Sequence, residues 1–229
     1  MKAYQALTQL RQTLYGADLS RLSDLELLTA LLSYTEPSDP SQLAAAMLEE
    51  KGSLQNLFLL EEDALRNLGV CANSATLMKM LLPAFGRALA SEFHGDEPFD
   101  STSKLGEYFA RRFCGIGTEM VYILLLKENL TAIGCYRIAQ GSINSANLNI
   151  RAVVEMALFK GAAYVAIAHN HPSGSPQPSS ADKTTTLNLQ AALGSVGIGF
   201  LEHIVVANNR YVPILLNSNT IFRDETYHF

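Results

Sequence analysis

Apolar and polar positions along the chain change their period once, near residue 95. Before that point Leu and Ala recur at helical spacing in four stretches, residues 3–14, 23–32, 41–50 and 74–93, which predicts helices throughout residues 1 to about 93. The punctuation agrees: Ser23 and Glu26 make an S-x-x-E capping box ahead of the second helix, and Gly52 stands where the third should stop. Phe93 to Ser103 is polar, holds Gly95 and Pro98, and reads as a linker between domains at 1–96 and 101–229. The second domain alternates. A helix at 103–113 is followed by strands at 120–126 and 131–139, a helix at 150–161, a strand at 164–171, a helix at 181–197 and strands at 198–207 and 210–216. This order predicts a mixed sheet with helices on its faces.

Charge separates the same two halves. Residues 1–100 carry 7 Lys+Arg against 14 Asp+Glu, and residues 101–229 carry 10 against 8. An acidic domain repels phosphates, so DNA binding would need a concentrated basic patch that the sequence lacks. No apolar run approaches the ~20 residues of a membrane span, and the first residues lack the apolar core of a secretion signal, so no membrane and a cytoplasmic location are expected. Three cysteines with no C-x-x-C spacing argue against a disulfide framework and a cysteine zinc site.

The chemistry concentrates in "AHNHPSGSPQPSSAD", Ala168 to Asp182. His169 and His171 are two apart at the end of an apolar strand, so both side chains point to one face and can share an ion. Pro172, Gly174, Pro176 and Pro178 give the following loop a stiff path that can return Asp182, on the first turn of a helix, to the strand end. Two imidazoles and one carboxylate would leave a fourth position of zinc for water. Ser179 with Asp182 is also an S-x-x-D helix-start signature, and capping is the alternative reading.

"HNHPSGSPQPSSAD" resembles the zinc motif of the JAMM or MPN+ (JAB domain) metalloprotease superfamily, and its wording is most similar to the RadC-like branch. Residues 141–174 and 201–214 are similar to that branch too, and the helical half is similar to its helix-hairpin-helix-like region. The resemblance implies an α+β protein: an all-helical amino-terminal domain followed by a cytidine-deaminase-like α/β JAB/MPN domain. It implies Zn2+ on His169, His171 and Asp182, an upstream glutamate acting on the water, and a Ser179 hydroxyl donating to the developing oxyanion. Glu119 holds the glutamate's position, although Glu107, Glu128 and Glu155 also lie upstream. The implied reaction is hydrolysis of peptide or isopeptide bonds in a protein or peptide substrate.

Two departures matter. Where the branch carries H-P-R-E before its central helix, this chain reads "NIRAV", keeping Arg151 alone. Leu65 to Leu81 occupies the hairpin position, but Gly69, Val70 and Cys71 replace a G-x-G turn, so DNA contact is disfavoured and apolar helix packing or docking of a protein partner is expected instead. His203 is expected to be structural, and Tyr227 and His228 to be frayed. A DNA-associated protein and a vestigial docking module are the competing functions.

Overall fold

The computed structural model describes residues 22–36, 39–91, 97–141, 148–172 and 174–215. The first expected helix, most of the linker's start, and Tyr227 with His228 lie outside these residues. The chain divides into two compact units, Met1–Leu82 and Pro83–Phe229, the division falling inside a helix.

In the first unit, α1 (Asp24–Leu32) starts on the expected Ser23–Glu26 capping box, and α2 (Pro40–Lys51) ends on Gly52 at φ 80°, the left-handed conformation glycine adopts without a Cβ penalty. Short helices α3 (Leu54–Phe58) and α4 (Glu62–Asn67) precede α5 (Ala72–Ala90). Leu28, Leu32, Met47, Leu57, Leu65 and Met78 form the buried core. In the turn between α4 and α5, the Gly69 amide donates to the Arg66 carbonyl and the Cys71 amide to the Glu36 carboxylate at 2.8 Å.

The second unit is built on a five-stranded sheet in the order β2-β1-β3-β4-β5. Its strands are β1 (Met120–Leu126), β2 (Ala132–Gln140), β3 (Tyr164–Asn170), β4 (Gly199–Ala207) and β5 (Arg210–Pro213). β1 is antiparallel to both β2 and β3, β3 runs parallel to β4, and β4 turns back antiparallel into β5. β1, β3 and β4 are buried along nearly their whole length, as expected of strands covered on both faces. Helix α6 (Thr102–Arg112) covers one face through Leu105, Tyr108 and Phe109. Helices α7 (Ile150–Phe159) and α8 (Ser180–Ser195) cover the other through Val153, Ala157, Leu189 and Leu193. The α+β class is as expected.

One irregularity positions the site. Val165 pairs with Phe200 but Ile167 with His203, so β4 holds one residue more than β3 in that interval. Such a bulge resets the alternation of side chains. Phe200 and His203, three apart, therefore both lie opposite residues of the α8-covered core, and Glu202 fills the kink, its Oε1 accepting from the His203 and Leu215 amides at 2.8 Å each.

Candidate metal centre

His169 is the penultimate residue of β3, and His171 follows the strand by one position, still tied to the sheet by its amide donating to the Val206 carbonyl at 2.8 Å. Their Nε2 atoms approach to 2.9 Å. Asp182 sits on the first turn of α8 and is buried, with Oδ1 at 3.5 Å from His169 Nε2 and Oδ2 at 3.9 Å from His171 Nε2. The return loop is held open for this: the Gly174 amide donates to the His171 carbonyl, and Gly174 adopts φ 93° beside Asn208, where a Cβ would come within 2.9 Å of the Asn208 amide nitrogen.

The surrounding bonds fix the tautomers. Ser175 O can only accept, so His171 Nδ1, 2.8 Å away, carries the proton and Nε2 a lone pair. Thr186 donates to the Asp182 carbonyl at 2.7 Å and therefore accepts from His203 Nδ1 at 2.6 Å. His203 Nε2 is then an acceptor, His169 Nδ1 donates to it at 2.8 Å, and His169 Nε2 is a lone pair too. Two lone pairs facing each other at 2.9 Å beside a carboxylate repel unless a cation lies among them. A proton on His169 is disfavoured, because burial pushes its imidazole down to about 4. The 2.9 Å between the two Nε2 atoms and the 3.5 Å from His169 Nε2 to Asp182 Oδ1 lie either side of the ~3.3–3.4 Å edge of a tetrahedron with bonds of about 2.0–2.1 Å, and two imidazoles with a carboxylate are a donor set that fits zinc.

Ser179 is the N-cap of α8 in a complete capping box: its amide and hydroxyl both donate to Asp182 Oδ2 at 2.7 Å, and its Oγ accepts from the Asp182 amide at 3.2 Å. Capping and metal presentation are thus compatible uses of one carboxylate, Oδ2 serving the helix start and Oδ1 turned to His169. Glu119 precedes β1 by one residue. Its carboxylate and the two histidines bring one ligand atom each within 4.8 Å of one another, the candidate metal group found among the described residues. Of the other upstream carboxylates, Glu155 pairs with Arg151 at 2.7 Å on exposed α7, Glu107 lies on α6 and Glu128 in the β1–β2 turn. His203 contacts His169 as a buried second partner. Thr186 was not legible in advance, since a helical Thr carries no mark of the histidine it will meet.

Residues 99–218 match the family model described as the RadC-like JAB domain. A UPF0758 protein of Xanthomonas campestris pv. campestris (strain 8004) is 34% identical over 206 residues, spanning 89% of this chain and 92% of the relative. A UPF0758 protein of Stenotrophomonas maltophilia (strain K279a) is 38% identical over 207 residues, 88% of each. Neither name assigns an activity.

Proposed function

Because the chain belongs to the RadC-like JAB domain family, we propose that it is a zinc-dependent peptidase or isopeptidase acting on a protein or peptide substrate. The observation that carries this reading is the pair of Nε2 lone pairs facing each other beside Asp182 Oδ1, with Glu119 at their edge. Zinc held by His169, His171 and Asp182 would polarise the scissile carbonyl and lower the pKa of a bound water toward about 7. Glu119 takes a proton from the attacking water and returns it to the leaving nitrogen, the double duty that a carboxylate within reach of both can perform. Ser179 donates to the oxyanion by turning its hydroxyl from Asp182 Oδ2, while its amide continues to hold that oxygen.

Residues 1–96 serve in this reading as a docking domain and 101–229 as the hydrolase. A DNA role is disfavoured by the hairpin turn, where the Cys71 amide that a phosphate would need is already given to a carboxylate, Glu36. Cytoplasmic work belongs to the same proposal: Cys71, Cys114 and Cys135 are free thiols, as reducing compartments keep them, and no helix among the described residues is long and apolar enough to cross a membrane.

The test is zinc content and cleavage of peptide libraries by wild type and Glu119→Gln. Stoichiometric zinc in both, with turnover in the wild type falling at least ~100-fold in the variant, is expected. Metal-free protein that takes up no zinc on titration overturns the reading.

A further inference from the structure

Asn170, between the two histidines, points the other way. Strand alternation sends His169 and His171 toward α8 and turns the Asn170 side chain to the opposite face, where it is buried at 4% exposure. There its carboxamide is used completely. Oδ1 accepts from the Met120 amide at 2.8 Å, and Nδ2 donates to the Ile116 and Thr118 carbonyls at 3.2 and 3.0 Å. Met120 can only donate and the two carbonyls only accept, so the orientation of the amide group follows from its partners.

Two of those partners flank Glu119. On the far side, the Glu119 carbonyl accepts from the Gly141 amide at 2.7 Å, so the backbone on both sides of this residue and its own carbonyl are held while its side chain reaches toward the histidines. Resting on the reading of Glu119 as the proton carrier, we propose that Asn170 is its positioning residue: the same strand end presents the metal ligands on one face and fixes the carboxylate's backbone from the other. The Glu119 backbone and the two histidine ligands are then tied together within three consecutive residues of β3 and its end. Only a carboxamide of this length meets the requirement. Aspartate keeps the acceptor for Met120 but faces two carbonyls with no proton to give, and alanine abandons all three groups.

The test uses the full-length protein with Asn170→Ala and Asn170→Asp, read by amide hydrogen exchange, zinc affinity in chelator competition, the visible absorption of the cobalt-substituted protein, and turnover. For Asn170→Ala, exchange of the Met120 amide rises at least about tenfold. Zinc affinity changes less than about threefold, below the 10–100-fold loss typical when a ligand's own support is removed. The cobalt absorption moves in the direction seen for Glu119→Gln, and turnover falls about 100-fold, as a displacement near 1 Å of a reacting group would cause. Asn170→Asp keeps the Met120 amide protected but leaves the Ile116 and Thr118 carbonyls without their donor, so turnover falls while Met120 exchange stays low, which separates loss of the clamp from general unfolding. Unchanged Met120 exchange in Asn170→Ala overturns the proposal, as does a loss of zinc affinity as large as that of His171→Ala. Wild type that takes up neither ion sinks the peptidase reading alone, and the Met120 amide then still decides whether the clamp exists.

Discussion

Removing the His203 imidazole would take away the acceptor for the His169 Nδ1 proton inside a fully buried pocket. The unsatisfied N–H then favours moving the proton to Nε2, the nitrogen that must stay a lone pair. His203→Ala is therefore expected to keep its fold and to lose 10–100-fold in zinc affinity, measured against a chromogenic chelator. Thr186→Val acts one bond further away, leaving the His203 Nδ1–H without its acceptor, and should cost about 1–3 kcal/mol in urea unfolding with a smaller loss of affinity. An affinity unchanged in His203→Ala contradicts the tautomer assignment. At this scale the sequence displayed the ligands but not their supports, because H-x-H and S-x-x-D are periodic patterns whereas Thr186 and Asn170 acquire meaning only from what the fold brings beside them.

Helix α6 approaches the sheet closely at a single small residue. A Cβ built on the buried Gly106 would overlap the ring of Tyr211 on β5, which packs against the core that joins α6 to the sheet. Gly106→Ala should lower stability by roughly 1–3 kcal/mol by forcing the ring or the helix outward, read as a lower melting temperature; a helical glycine in open space would instead gain from the change. Element boundaries were largely legible: the expected strand at 120–126 matches β1, and the helix at 150–161 overruns α7 by two residues. The bulge in β4 was not. Counted by twos from Phe200, His203 falls on the wrong face, and only the pairing of Val165 with Phe200 and Ile167 with His203 shows the slip that turns it toward His169. In "GFLEH" the sign of that slip is Glu202, a carboxylate in an apolar run, and alternation by itself does not say that it sits in a kink.

Across the whole molecule a buried carboxyl and two buried imidazoles make stability depend on pH in opposite senses. Burial pushes the Glu202 carboxyl up to about 7 from an ordinary 4.5, against hydrogen bonds from the Leu215, His203 and Ile214 amides that pull it down. The folded state thus holds this proton more tightly, and the contribution is present below pH 4.5 and lost as pH rises to about 7. In metal-free protein His169, held down to about 4 from 6.5, contributes above pH 6.5 and loses that contribution as pH falls toward 4, with His203 acting in the same direction. Glu202→Gln retains an oxygen for the His203 and Leu215 amides but cannot ionise. Relative to its parent, this variant should gain roughly 1–3 kcal/mol between pH 5 and pH 8, compared by urea midpoints in chelator. A parent that gains on the variant over that interval refutes the assignment. In the proposed metalloenzyme, metal choice also belongs to this scale, in competition with every other ion the protein meets. With both Ser179 donors on Oδ2, Asp182 has one oxygen left to offer, so it cannot chelate through two. A zinc ion, content with four partners, would lose nothing by this, whereas an ion that takes six or more oxygens would have to draw the rest from water, so the hydrogen bonds that begin a helix would weigh against it.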